Sequence, residues 1–87
     1  MDRIIIDVRE PFEYKMGHVK GAINLPPMKL MHGLPKELAD LPKDTEIVLY
    51  CLSGARSGAS MRILAQHGFT NLINGINKDH VKAKYGA

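Results

Sequence analysis

The stretch EIVLYCLSGARSGAS, residues 46–60, decides the fold, because an apolar run ends there at a cysteine that is followed by small residues and an arginine. Residues 47–50 show no polar alternation, which is typical of a strand buried on both faces of a parallel sheet. Residues 57–67 then favour a helix, with Gly68 as its C-terminal cap. The stretch therefore predicts a central strand, a short loop that begins at Cys51, and a helix.

Patterns on either side extend this unit into an α/β protein. The further predicted strands are residues 3–8, 22–25 and 69–73, and the further predicted helices are residues 11–16, one or two segments within 28–41 that break near 33–35, and residues 77–85. Alternating strands and helices favour a three-layer sandwich, in which helices cover both faces of a parallel sheet of about four strands. The length of 87 residues predicts a single domain, residues 1–87.

Composition narrows the classes of function. No segment approaches the roughly 18 apolar residues of a membrane helix, and the single cysteine and four scattered histidines fit no internal disulfide or zinc site. The net charge of +3 arises from dispersed lysines without stacking aromatics, so it favours a small anionic substrate over nucleic acid. The first residues lack signal-peptide features, which predicts a cytoplasmic protein, or a periplasmic one if a leader has been removed.

Cys51 is the candidate nucleophile, because ligands of open parallel sheets bind at the carboxyl ends of the strands. The small residues after it allow the backbone to curl, so that loop amides and the free N–H groups of the next helix can point at one centre. Such surroundings lower a cysteine pKa from about 8.5 to roughly 3.5–7.5, and Arg56 supplies a nearby cation. The alternative is a buried cysteine that only fills space, but such a residue needs neither the glycine nor the arginine that follow.

Two segments resemble a known family. Residues 5–26, IIDVREPFEYKMGHVKGAINLP, and residues 50–60, YCLSGARSGAS, closely resemble the signature segments of single-domain rhodaneses, which are small sulfurtransferases. The resemblance implies a rhodanese-like fold in which Cys51 takes a sulfane sulfur from thiosulfate, or from a persulfide or polysulfide, and holds it as a persulfide. The acceptor would be cyanide or a thiol, including a thiol on a protein, and no metal or organic cofactor is implied. The loop that cradles the persulfide would comprise Leu52, Ser53, Gly54, Ala55 and Arg56.

Cysteine-dependent phosphatases or arsenate reductases and non-catalytic modules are the two alternative classes of function. Related cell-cycle and tyrosine phosphatases have a longer loop, with one more residue between cysteine and arginine than the four that separate Cys51 from Arg56. The tighter loop suits a single sulfur atom, which disfavours a phosphatase or an arsenate reductase. A non-catalytic rhodanese-like module, which would bind a partner or carry sulfur, stays open as the alternative, although such modules typically lack the cysteine.

Several residues are predicted to support the site rather than to react. Asp7 and Arg9 match an Asp-x-Arg element that braces the active-site region in the family, and an ion pair with Glu13 is the other role considered for Arg9. Ser57 is expected either to donate to the loop or to cap the helix, and capping is favoured. His18 lies in a turn motif and is expected to be structural. The methionines expected in the core are Met16, Met28, Met31 and Met61.

The chain also departs from the family pattern. Leu52 stands where many members carry a basic residue, so the entrance should be less cationic, which puts thiosulfate in doubt as the physiological donor and leaves Arg56 as the main anion contact. Residues 73–76 lack the paired glycines of the family's closing segment, so the last helix is expected to pack differently. The chain begins at what is normally the second strand, which predicts four strands instead of five.

Overall fold

The computed structural model describes residues 3–86. In chain order the elements are β1 (Ile4–Asp7), α1 (Pro11–Lys15), β2 (Ile23–Asn24), α2 (Pro27–Met31), α3 (Lys36–Ala39), β3 (Ile47–Cys51), α4 (Ala55–Gln66), β4 (Leu72–Asn77) and α5 (Lys78–Tyr85). Within the described part of the chain, no helix has both the length and the apolar character needed to cross a membrane.

The sheet has four strands in the order β2-β1-β3-β4, and every neighbouring pair is parallel. β3 pairs with β1 on one side and with β4 on the other, and each of its residues is buried. A strand with neighbours on both edges and helices on both faces has no exposed side, which explains its uninterrupted apolar sequence. The predicted four-stranded parallel sheet and the central position of β3 are confirmed.

Two clusters of buried side chains cover the two faces of the sheet. On one face Leu30 of α2, Leu38 of α3 and Leu64 of α4 belong to a cluster with β1 and β3. On the other face Val81 of α5 and Tyr14 of α1 pack with side chains of β3. Helices on both faces of a parallel sheet make the predicted three-layer α/β sandwich, which is therefore confirmed.

Several element boundaries differ from the prediction, among them those of α4 and β4. α4 begins at Ala55, two residues before the predicted start at position 57, because Gly54 turns the chain directly into the helix. β4 comprises Leu72–Asn77 instead of residues 69–73. The apolar Phe69 suggested a strand, but it is buried in the core from the turn after α4, before the backbone pairing with β3 begins. The hydrophobicity of Phe69 therefore indicated a buried side chain and not the start of a strand.

The prediction that the methionines fill the core was wrong for three of them. Met16, Met28 and Met31 are 85%, 66% and 68% exposed, whereas Met61 is partly buried against the core. α2 is five residues long and buries only Leu30, because so short a helix presents little more than one position to the sheet. The apolar residues beside Leu30 therefore face outward.

A bulge in β4 brings α5 close to the sheet. The register of the β3–β4 pair shifts between Leu49 and Tyr50, so that Gly75 has no partner and Ile76 pairs with Tyr50. Ile76 has a φ of 72°, a left-handed conformation that is strained for a β-branched residue. A Cβ atom at Gly75 would lie 2.5 Å from Cγ2 of Val81, so only glycine permits this packing of α5.

We predict that Gly75→Ala destabilises the protein by about 1–3 kcal/mol, the usual cost of overpacking. The added methyl group would overlap Val81 and would also lie 3.0 Å from Cγ1 of Val48 and 3.2 Å from the carbonyl oxygen of Leu49. Urea unfolding of the two proteins measures the difference.

Gly58→Ala is the matched control. Gly58 lies inside α4, and a Cβ atom there would meet only Nδ2 of Asn74, at the ordinary contact distance of 3.6 Å. Alanine favours a helix interior over glycine by about 0.5–1 kcal/mol, so this variant should be more stable than the wild type. A similar loss of stability in both variants would contradict the close packing assigned to Gly75.

Candidate active site

Cys51 is the last residue of β3, at the carboxyl edge of the sheet, and it is 1% exposed. The sequence predicted a helix about six residues further on, but α4 begins at Ala55, so the loop itself contains only Leu52, Ser53 and Gly54. Ala55 and the residue after it already belong to the first turn of α4. The sulfur is therefore closer to the free N–H groups of the helix than the sequence suggested.

Gly54 makes this short connection possible. It is the N-cap residue of α4 and has φ 95° and ψ −8°, a left-handed conformation that glycine adopts without steric cost. In this conformation its amide donates a hydrogen bond to Sγ of Cys51, with a nitrogen–sulfur distance of 3.1 Å. The turn thus directs the start of α4 toward the sulfur.

The other residues of the predicted loop form its outer surface. Leu52 is 61% exposed, Ser53 and Ala55 are exposed as well, and Arg56 is partly buried. The backbone of the loop therefore faces the sulfur while its side chains face outward. An exposed leucine directly beside the cysteine gives the entrance an apolar side.

The pKa of Cys51 results from two opposing effects. Burial raises it, but hydrogen bonds from the Ser57 hydroxyl and from the amides of Ser57, Ser53 and Gly54 together outweigh burial and lower the pKa to about 7. Hydrogen bonds to the thiolate, more than the predicted nearby cation, account for this shift. Thiolate is therefore available at neutral pH.

Ser57 has a different role from the one favoured by the sequence. It does not cap α4 through its side chain: its hydroxyl donates to Oδ1 of Asn74 at 2.7 Å, and its oxygen lies 3.6 Å from Sγ of Cys51. A hydroxyl has one hydrogen, so it cannot donate to both partners at once. With a neutral thiol, the S–H group can donate to Ser57, and when the thiolate forms, the hydroxyl can turn from Asn74 to the sulfur.

Asn74 is a site residue that the sequence did not predict. It lies in β4, where its Nδ2 donates to the carbonyl oxygen of Gly54 at 3.0 Å and its Oδ1 accepts from both the Ser57 hydroxyl and the amide of Ile76. One side chain thus joins the end of the loop, the first turn of α4 and the bulge of β4. Asn74 follows directly after the predicted strand, residues 69–73, and no pattern in the sequence marks it as a site residue.

Arg56 and Glu13 form an ion pair above the loop. Nη1 and Nη2 of Arg56 donate to the two carboxylate oxygens of Glu13 at 2.8 and 3.2 Å. The alternative prediction of an ion pair between Arg9 and Glu13 is therefore wrong, because Glu13 pairs with Arg56 and Arg9 pairs with Asp7. The sequence did not identify Glu13 as the partner of Arg56, because the two residues are 43 positions apart in the chain.

Asp7 and Arg9 build a buried network beneath the site. Arg9 donates to Asp7 through its backbone amide and its guanidinium, with a shortest distance of 2.7 Å, and also donates to the carbonyl oxygen of Gly17. The hydroxyl of Tyr50 donates to the same carboxylate at 2.8 Å and accepts from the amide of Val19. These contacts fit the bracing role expected for Asp7 and Arg9, and they include the residue that precedes Cys51.

His18 lies in the turn after α1. Its Nδ1 is 2.9 Å from the carbonyl oxygen of Tyr14, and its ring stacks on the Tyr14 ring with a centroid distance of 3.7 Å. These contacts fit the structural role expected for His18.

The fold and the site are those of an α/β protein that holds a low-pKa thiol at the carboxyl edge of a parallel sheet. The family model for the Rhodanese-like domain matches residues 1–79. The chain therefore belongs to the rhodanese-like family, as the two sequence segments predicted.

Named relatives include sulfurtransferases. The chain is 37% identical over 73 residues to a sulfurtransferase of Allochromatium vinosum, a match that covers 84% of this chain and 64% of that protein. It is 36% identical over 69 residues to the thiosulfate sulfurtransferase PspE of Escherichia coli, covering 79% and 64%. A solved structure described as a rhodanese with anions from E. coli has a TM-score of 0.79, 32% identity and 91% coverage of both chains. The match thus spans slightly less than two thirds of each of these two curated relatives.

We predict that Ser57→Ala raises the pKa of Cys51 above its value of about 7, toward the ordinary value near 8.5, because the thiolate loses its side-chain hydrogen bond. The rate of alkylation by iodoacetamide, measured between pH 5 and pH 10, reports the thiolate fraction.

Ser60→Ala makes the same chemical change one turn further along α4. The Ser60 hydroxyl is buried and has no hydrogen-bond partner among the described residues, so its loss should leave the alkylation profile unchanged. Equal shifts in the two variants would show that the effect of Ser57→Ala comes from the helix and not from the hydroxyl beside the sulfur.

We predict that Tyr50→Phe destabilises the protein by about 1–3 kcal/mol, because the buried Asp7 carboxylate loses a donor and the Val19 amide loses its acceptor. Tyr14→Phe is the control, since the Tyr14 hydroxyl makes a single, partly buried hydrogen bond, to the carbonyl oxygen of Ala22, and its loss should cost less. Urea unfolding compares the variants, and a smaller loss for Tyr50→Phe than for Tyr14→Phe would contradict the bracing network.

Proposed function

We propose that the protein is a sulfurtransferase in which Cys51 carries a sulfane sulfur as a persulfide between a donor and an acceptor. The observation that carries this proposal is the low-pKa thiol surrounded by amides, with Gly54 donating to the sulfur. The loop places these donors around one sulfur atom. The names of the sulfurtransferase relatives agree with this chemistry.

In the first step the Cys51 thiolate attacks the outer sulfur of the donor. With thiosulfate, a bond forms between the two sulfur atoms, the bond between the outer sulfur and the sulfonate sulfur breaks, and sulfite leaves with the electron pair. The persulfide anion that results keeps its charge on the terminal sulfur. The N–H groups at the start of α4 and the loop amides can stabilise that charge, as they stabilise the thiolate.

In the second step an acceptor attacks the terminal sulfur. Cyanide forms thiocyanate, and a thiolate forms a new persulfide; in both reactions the Cys51 thiolate is the leaving group. Because its pKa is about 7, the thiolate is a good leaving group as well as an available nucleophile at neutral pH. Neither step requires a general base once the thiol is ionised.

The surface around Cys51 affects which sulfur donors can bind. Thiosulfate is supported by the relative named thiosulfate sulfurtransferase, whereas the exposed Leu52 and the pairing of Arg56 with Glu13 make the entrance less cationic. We therefore propose thiosulfate and organic persulfides or polysulfides as candidate donors. A cyanide or thiol acceptor, including a thiol on a protein, completes the cycle.

Intact-protein mass spectrometry tests the proposal. Incubation with thiosulfate or polysulfide should add the mass of one sulfur atom to the wild type, and cyanide should remove it with formation of thiocyanate. The loading rate should rise with pH, reach half of its maximum near the pKa of about 7 and level off above that range, because only the ionised thiol attacks.

Cys51→Ser is the matched control and should remain unmodified. If neither donor modifies the wild type, and Cys51 is alkylated with an ordinary pKa near 8.5, then the protein is not a sulfurtransferase. That outcome would favour the non-catalytic binding module.

A further inference from the structure

The Arg56–Glu13 pair has a consequence for the choice of sulfur donor. Both terminal nitrogens of the guanidinium bind Glu13, and Oε1 of Glu13 also accepts from the amide of Glu10 at 2.8 Å. The carboxylate is therefore held from α1 and from α4 at once. Such a bidentate pair has a defined geometry and does not depend on one flexible contact.

Glu13 is charged at every pH at which the thiolate exists. The hydrogen bonds from Arg56 and then from the Glu10 amide lower its pKa to about 2. The pKa of Arg56 is raised, chiefly by its hydrogen bond to Glu13, so the guanidinium also keeps its charge. The two side chains together contribute no net charge beside Cys51.

The other arginine that the sequence assigned to this edge is compensated as well. Arg9 binds Asp7, and its side chain is only 7% exposed. Neither arginine therefore presents an uncompensated positive charge to an incoming anion, and the exposed residue directly after Cys51 is the apolar Leu52. Loop amides can stabilise a single sulfur anion, but they offer less attraction to a second negative charge further out.

We propose that Glu13 determines donor specificity: by compensating Arg56, it reduces the reactivity of the site toward dianionic donors relative to donors of lower charge. The inference rests on the proposed sulfurtransferase function. It assigns to Glu13 a positioning and electrostatic role through Arg56, without contact with the sulfur. It predicts that removing one negative charge at position 13 changes the order of donor preference.

The test uses two donors that react in the same way. Thiosulfate carries two negative charges and releases sulfite, whereas methanethiosulfonate carries one and releases methanesulfinate. In both reactions the bond to the outer sulfur breaks, and the leaving group takes the electron pair. Initial rates of thiocyanate formation at saturating cyanide give kcat and KM for each donor.

Glu13→Gln keeps the shape of the side chain and an oxygen that can accept from the Glu10 amide. The substitution removes one negative charge, which we take to lie about 7 Å from the donor in a water-like dielectric. Because the repulsion scales with the charge of the donor, kcat/KM should rise roughly sevenfold for thiosulfate and roughly threefold for methanethiosulfonate. The gain should appear mainly as a lower KM. It should shrink at high ionic strength, because salt screens exposed charges.

Glu37→Gln is the matched control, since it changes the net charge equally at an exposed position on α3. It should leave the ratio of the two kcat/KM values unchanged. Thermal unfolding should show that both variants are folded, since a partly exposed ion pair contributes little stability.

The outcomes separate the two proposals. If neither donor loads the wild type with sulfur, the sulfurtransferase function fails. If the wild type turns over, but Glu13→Gln leaves the donor ratio unchanged or lowers both rates equally, Glu13 only positions the loop, and the specificity inference is overturned.

Discussion

The carboxyl edge of the sheet depends on the buried carboxylate of Asp7. It is fully enclosed and accepts hydrogen bonds from Arg9 and Tyr50, so its negative charge is paired and its oxygens have donors. An unpaired charge at this depth would be strongly destabilising, which means that β1, β3 and the arginine must come together in one arrangement. Tyr50 also binds the amide of Val19 in the turn after α1. The backbone that leads into Cys51 is thereby held from both sides.

The thiol chemistry follows from the geometry that this edge supports. Since β3 ends at Cys51 and Gly54 turns the chain immediately into α4, backbone donors converge on the sulfur within a few residues. Asn74 holds that loop from the neighbouring strand and shares the hydroxyl of Ser57 with the sulfur. The thiolate is thus stabilised mainly by hydrogen bonds, and the site needs no histidine base. Rigid, preorganised donors of this kind can also stabilise the terminal charge of a persulfide.

The positive charge of Arg56 at the entrance of the site is compensated by Glu13. The electrostatic attraction of the site for anions therefore comes chiefly from amides directed at one atom. The exposed Leu52 adds apolar surface there. In the sulfurtransferase that we propose, such a site would stabilise the sulfur anion without strongly attracting a highly charged donor.

The sequence by itself determined the order of strands and helices, the position of Cys51 at the end of a central strand, and the small residues that let the chain curl after it. These features depend on neighbouring residues, because apolar runs, glycines and helix starts are local patterns. Only the tertiary structure decided the partner of Glu13, the contacts of Asn74 and the role of Ser57 beside the sulfur. Each of these is a side-chain hydrogen bond or contact whose geometry depends on how separate elements pack. Polar partners of that kind leave no periodic pattern in a single chain, since any of several carboxylates, amides or hydroxyls could fill the same role until packing brings one of them within reach.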